Sequence, residues 1–202
     1  MVFLGRICPE KRLDRAIEIV TRAGVQLKIA AKVDKVDEEY FASEIKPLLN
    51  TSLVEVLGEI NDDQKNLLLG GARALLFPID WPEPFGLLMI EALACGTPVI
   101  TFECGYVPEV IEHGKTAFVV HNVSEAVHAL ERIETISRHI CRKEFAAKYR
   151  SVQMAPNYLS VYHRLRRGTH LQRVDGPEYV TTFGAHSPTC PHSGHSVSGE
   201  RI

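Results

Sequence analysis

Between residues 2 and about 123, six short, mostly apolar runs alternate with helix-length amphipathic runs, and this alternation constrains the fold more than any other feature of the chain. A strand that is apolar at successive positions must be covered on both faces, which is the situation of a strand in a parallel sheet between two helical layers. The candidate strands are Val2–Leu4, Gln26–Ala30, Leu53–Leu57, Ala74–Phe77, Val99–Phe102 and Ala117–Val120. Between the first two, Leu13, Ala16, Ile17 and Val20 recur at i, i+3, i+4 and i+7 behind Pro9 and ahead of Gly24, which predicts a helix. Phe41, Ile45 and Leu48 form a weaker stripe, and Leu67 and Leu68 behind Asp62 and Asp63 predict a capped helix before the fourth strand. Three helical stretches follow Val120, the last carrying Tyr158, Leu159, Tyr162 and Leu165 behind Pro156. The expectation is one α/β domain over residues 1–165, with a six-stranded, mostly parallel sheet flanked by helices.

Composition narrows the function classes. With 45% hydrophobic and 24% charged residues, 202 residues are enough to bury a full core. Lys+Arg 23 against Asp+Glu 25 and a pI near 6.5 supply no general field for nucleic acid or an anionic membrane surface, so neither is expected as a partner. No apolar run is long enough to span a bilayer, and MVFLG runs straight into Arg6, too short for the core of a signal peptide. Cys8, Cys95, Cys104, Cys141 and Cys190 are odd in number, scattered and without a C-x-x-C pair, which reads as reduced thiols in a cytoplasmic protein. From 166 to 202 glycine, serine, proline and histidine dominate, the composition of a disordered, low-complexity tail. At the other end the domain starts on a core strand with no lead-in, as the second half of a larger protein would.

The richest segment runs from Trp81 to Pro98. Between Phe85 and Cys95 only Gly86 and Glu91 are not apolar, so the reading is a helix buried nearly all round with Glu91 as a lone carboxylate inside it. Such a carboxylate needs a cationic partner or an open cleft. Because this helix follows the fourth strand, its amino end falls at the carboxyl edge of the sheet, where ligands of open α/β folds bind. Its free amides, with Gly86 allowing close approach, would attract an anion. Glu83 stands eight residues before Glu91, about 12 Å if the segment is helical throughout, roughly the reach of a diphosphate flanked by two sugars. That is wider than the roughly 5–9.5 Å of a glycosidase pair, so the two carboxylates read as hydroxyl acceptors at the ends of one ligand. Pro78, Pro82 and Pro84 stiffen the entry loop, with Trp81 expected to pack beneath it.

Gly5-Arg6-Ile7-Cys8-Pro9-Glu10-Lys11 follows the first strand at the same edge. Basic residues in a loop are usually solvated surface, but two cations converging with a helix amino end favour phosphate. No G-x-G-x-x-G follows the first strand, which disfavours a nicotinamide-dependent oxidoreductase.

These segments together carry a resemblance. G-R-x-x-P-E-K at Gly5–Lys11, L-G-E-I at Leu57–Ile60, E-P-F-G-L-x-x-I-E-A-x-A-C-G-T-P-V-I from Glu83, and V-P-E-V-I-E-H-G-K-T-A-F-V-V from Val107 are similar to the donor-binding half of family 4 retaining glycosyltransferases, over residues 1–165. Those enzymes have two Rossmann-like domains facing a cleft, the GT-B architecture. The resemblance implies that Arg6 and Lys11 neutralise the diphosphate of a nucleoside diphosphate sugar, with UDP- or GDP-sugars expected. It implies that Glu83 contacts the transferred sugar and that the amides of Phe85, Gly86 and Leu87 hold sugar and phosphate. Glu91 would accept from the ribose hydroxyls, and Leu57, Gly58 and Glu59 would lie near the base. Arg6, Lys11 and Glu83 would be the catalytic set, with no metal or other cofactor. The family's amino-terminal domain, with its acceptor site and catalytic histidine, has no counterpart in this sequence, so a separate acceptor-binding domain is an expected partner, and a non-catalytic nucleotide-sugar-binding fragment or half of a split enzyme is the alternative.

Two other motifs carry less. His113-Gly114-Lys115-Thr116 contains G-K-T, but Glu109 stands where a phosphate loop requires glycine, and the segment reads as a turn into the last strand. His186, Cys190, His192 and His195 lack an apolar framework that would preform a zinc site.

Overall fold

The structure is a computed structural model that describes residues 1–105 and 107–166. Apart from Arg166, the expected tail and its histidines lie outside the described residues. All six strands fall where the apolar runs place them, with ends shifted by at most two residues: β1 Val2–Arg6, β2 Leu27–Lys32, β3 Val54–Val56, β4 Leu75–Phe77, β5 Val99–Phe102 and β6 Ala117–Val120. They form one sheet in the order β3-β2-β1-β4-β5-β6, and every pairing is parallel. The chain winds outward from β1 to β3, crosses back to β4 and winds outward in the other direction. β1 and β4 are therefore the neighbours at which the winding reverses, the position where a doubly wound sheet opens a crevice at its carboxyl edge.

Alternation along the strands divides the core. Phe3, Leu27, Ile29, Leu76, Ile100 and Phe118 face one layer, made by α1 (Leu13–Ala23) and α6 (Val123–Glu131). Val2, Leu4, Leu75, Phe77 and Val99 face the other, which includes α3 (Asp62–Gly71), α4 (Leu87–Ala94) and α5 (Val107–Val110). The predicted stripe of α1 is buried in full, and burying each large aliphatic side chain contributes about 1.5–3 kcal/mol before chain entropy is charged against it. The weaker stripe becomes a short α2 (Glu38–Tyr40) continued by a π-helical Phe41–Ile45 and a 3-10 turn Lys46–Leu49; Ile45 is buried, whereas Leu48 stays exposed.

Three expectations are corrected. The cap of α3 is Asn61, which forms a reciprocal capping box with Gln64 ahead of Asp62 and Asp63. Pro156 lies inside the last helix, α8 (Ser151–Arg166), which follows α7 (Arg138–Lys148) and buries none of its residues. Trp81 is exposed rather than packed beneath its loop. Cys8, Cys95 and Cys141 carry free thiols, and Cys190 lies outside the described residues. Residues 113–116 do form the turn into β6, with Gly114 at a φ of +76°. Among the described residues, no helix is long and apolar enough to cross a membrane.

Candidate functional site

Three connections leave the carboxyl edge of the sheet beside the reversal point. After β1 the chain turns through a 3-10 helix, Pro9–Lys11, and enters α1 at Arg12, a left-handed residue with φ of +50°. After β4 it runs through Pro78–Phe85 and enters α4 at Gly86, also left-handed (φ +72°). After β3 it passes Gly58 and Glu59 into the first turn of α3, which carries Lys65. Between them lies a cleft of about 380 Å³.

One wall is an ion pair across the reversal point: Lys11 Nζ lies 2.8 Å from Glu83 Oε2, with the ammonium 5.4 Å from the centre of the Phe77 ring. The first intrahelical bonds of α4 run from Met89 and Ile90 to the Gly86 carbonyl, so the amides of Leu87 and Leu88 precede them and have no acceptor inside the helix. Gly86 and Leu87 line the cleft, which puts a helix amino end and an ammonium on the same space. On the other side are Glu59, Ile60, Lys32 and Lys65. Asp34 accepts a hydrogen bond from Lys32 and Glu91 accepts one from Lys65, and these contacts raise both lysines above the ordinary ammonium range.

The two loops that carry Lys11 and Glu83 are fastened by Asp80. Its amide donates to the Glu10 carbonyl at 2.8 Å, and its Oδ2 accepts from Arg12 Nη1 at 2.9 Å and Arg15 Nη2 at 3.0 Å. Arg12 also donates to Asp14 through Nε and Nη2. Gly105, with φ of +57°, lies against the same entry loop: a Cβ there would stand 2.6 Å from the Glu83 nitrogen and 2.8 Å from Pro82 Cα.

Of the residues singled out by sequence, Lys11, Glu59, Glu83, Gly86 and Leu87 line this cleft. Arg6 does not: its guanidinium turns to the loop after β2 and pairs with Asp34 (3.7 Å) and Asp37 (3.4 Å). Leu57 lines a neighbouring groove of about 600 Å³ that shares Glu59 and Ile60, and the Gly58 carbonyl accepts from the Ala31 amide, which ties that turn to β2. Phe85 is half-exposed beside the entrance. Glu91 is neither alone nor buried: its side chain is 40% exposed and its Oε1 lies 2.9 Å from Lys65 Nζ. The helix is exposed on one side at Leu87, and because it begins at Leu87 the segment from Glu83 to Gly86 is not helical, so the spacing of the two carboxylates is not the helical rise.

Lys32, Lys65, Asp80 and Gly105 were not singled out by sequence. Lys65 was within reach of the rule that placed Glu83, because α3 also starts at a strand's carboxyl end; a lysine in a helix otherwise resembles solvated surface.

The sequence model described as "Glycosyl transferases group 1" matches residues 1–150. Among curated proteins, the chain is 25% identical over 188 residues to alpha-maltose-1-phosphate synthase of Mycobacterium tuberculosis, covering 81% of this chain and 47% of that protein. It is 34% identical over 169 residues to an uncharacterized 41.2 kDa protein in the cps region of Klebsiella pneumoniae, covering 80% and 45%. Among solved structures, AviGT4, a glycosyltransferase involved in avilamycin A biosynthesis, superposes with a TM-score of 0.69 at 25% identity over 83% of this chain and 51% of that one. Anabaena Alr3699/HepE in complex with UDP shares the fold, with a TM-score of 0.65 at 20% identity over 82% and 48%. The chain spans about half the length of the curated relatives it matches. By the extent of the family match, over a doubly wound parallel sheet whose carboxyl edge carries the cleft, the chain belongs to the group 1 glycosyl transferases.

Proposed function

We propose that this chain is the donor-binding half of a retaining, family 4 glycosyltransferase of GT-B architecture, which moves a hexosyl group from a nucleoside diphosphate sugar to an acceptor held by a separate domain. The observation that carries the reading is the meeting of Lys11, Glu83 and the amino end of α4 on one cleft at the reversal point of the sheet. The Anabaena relative of like fold is in complex with UDP, which agrees with a UDP-sugar as donor.

In this reading the diphosphate lies against the Leu87 and Leu88 amides and Lys11, and Arg6 joins it by exchanging its Asp34 and Asp37 partners for phosphate oxygens. Glu83, released from Lys11 as phosphate arrives, accepts from hydroxyls of the transferred sugar. The leaving diphosphate gains charge as the glycosidic bond breaks, and fixed donors aimed at that charge lower the barrier. The cations suffice for this without a metal. Glu91 takes the ribose, and Leu57 and Glu59 border the base. The protein acts in the cytoplasm, where nucleotide sugars are made. By itself the chain binds donor and transfers nothing, since it offers one wall of the active cleft. The second reading is a non-catalytic nucleotide-sugar-binding module or half of a split enzyme, in which the same cleft binds a nucleotide sugar without carrying out transfer.

A thermal-shift panel of UDP-, GDP- and ADP-sugars tests the proposal by linkage: a ligand at 100 times its Kd stabilises by about 2.7 kcal/mol. Selective stabilisation by one nucleotide sugar is expected. No shift with any of them at millimolar concentration refutes donor binding.

A further inference from the structure

We infer that Lys65 is a positioning residue, which holds one oxygen of Glu91 so that the other is presented to a ribose cis-diol and this end of the cleft selects ribonucleotides. The inference rests on the donor-binding reading above.

Lys65 lines the cleft, and Glu91 sits behind it on α4, reached through the Lys65 ammonium. The two residues come from different helices, 26 positions apart, so their pairing is a product of the tertiary structure. Lys65 Nζ lies 2.9 Å from Glu91 Oε1 and 3.1 Å from Asp62 Oδ1. An ammonium has three donors, so one is left for a ligand oxygen. A pair with side chains 24% and 40% exposed does little for global stability. Its consequence is local: a half-exposed glutamate samples several rotamers, and a fixed cation on one oxygen restricts them.

The charges at the two ends of the cleft point the same way. On this side Lys32 is paired with Asp34, and Lys65 stands against both Glu91 and Glu59, which leaves a net negative end suited to hydroxyl donors and unfavourable to phosphate. At the opposite end, Lys11 balances Glu83 and the amino end of α4 adds partial positive charge. A nucleoside diphosphate therefore lies with its ribose at Lys65 and its diphosphate at Lys11. Asp62 is 91% exposed and takes no further part.

The test is calorimetric titration of UDP and 2′-deoxy-UDP, with the guanosine pair alongside, into the wild type and the Lys65→Met, Lys65→Arg and Asp62→Asn variants. The wild type is expected to prefer the ribonucleotide by about tenfold. Lys65→Met, which keeps the length of the side chain, is expected to lose about fivefold for the ribonucleotide and to leave the deoxy form within about twofold. Its melting temperature without ligand stays within about 2 °C of the wild type. Lys65→Arg restores the preference, and Asp62→Asn keeps it. An unchanged ribose preference in Lys65→Met, or equal losses for both ligands, overturns the assignment of Lys65 while the donor site stands. Failure of the wild type to bind any nucleoside diphosphate overturns the donor reading and this inference with it.

Discussion

Replacing Asp80 by alanine removes the side-chain part of the fastening between the two loops that carry Lys11 and Glu83, and leaves the bond from the residue-80 amide to the Glu10 carbonyl. The carboxylate accepts two charge-assisted bonds at 2.9 and 3.0 Å, from guanidiniums whose side chains are 22% and 13% exposed, its own being 22%. A shielded charge-assisted hydrogen bond contributes about 1.5–3 kcal/mol. Both bonds end on the same oxygen, and partial exposure screens them, so the pair is expected to be worth less than twice that range. Arg12 keeps Asp14 after the substitution, and Arg15 keeps its place 5.1 Å from the centre of the Phe102 ring. The expected loss is about 2 kcal/mol, and Asp80→Asn, which keeps an acceptor but not the charge, is expected to lose about half as much. Urea unfolding at pH 7 measures both, with an unchanged m-value marking a true stability change. A double-mutant cycle with Arg15→Ala should return a coupling of about 1 kcal/mol or more. If Asp80→Ala stays within about 0.5 kcal/mol of the wild type, the network behaves as a solvated surface cluster and the loops are held by something else.

A methyl group at Gly105 meets the Pro82–Glu83 backbone and forces a side chain into a left-handed conformation, so Gly105→Ala is expected to cost about 1–3 kcal/mol and to weaken donor binding. Unchanged melting and unchanged nucleotide-sugar affinity would refute the contact. Lys11→Ala and Glu91→Gln are expected to fail differently in calorimetry with nucleoside, nucleoside diphosphate and nucleotide sugar. The first should weaken only diphosphate-bearing ligands, increasingly so at low salt, and the second should weaken all three by about 1–3 kcal/mol. Burial pushes the Cys141 thiol from 9.0 up to about 11, and the thiol donates to the Thr116 carbonyl. The folded chain therefore keeps a proton that the unfolded chain has lost. The stabilisation is complete below pH 9 and falls away as pH rises towards 11, by about 1–2 kcal/mol between pH 8.5 and 10.5. Urea melts across that range should show a shallower decline in Cys141→Ala; an identical slope would show that Cys141 does not titrate as placed.

The sequence by itself determined the sheet. Runs such as Val99–Phe102 and Ala117–Val120 are apolar at successive positions, which only a strand covered on both faces tolerates, and their spacing leaves room for little except helical crossovers. Because parallel strands joined by helices place every strand-to-helix loop at one edge, the general position of Lys11, Glu83 and the amino end of α4 also followed from order along the chain. What order could not decide was which charges meet. Local spacing suggested that Arg6 and Lys11 act as a pair, yet in space Arg6 is drawn to Asp34 and Asp37, and Lys11 faces Glu83, 72 residues away. The run from Phe85 to Cys95 reads as a helix buried on all sides, but it packs against β4, β5 and α7, which leaves Leu87 exposed, and Glu91 finds its partner in Lys65 of α3. Apolar patterning is legible because burial acts on each residue through its own local period. Ion pairing is decided by a few ångströms between elements distant in sequence, and that distance exists only once the helices have packed.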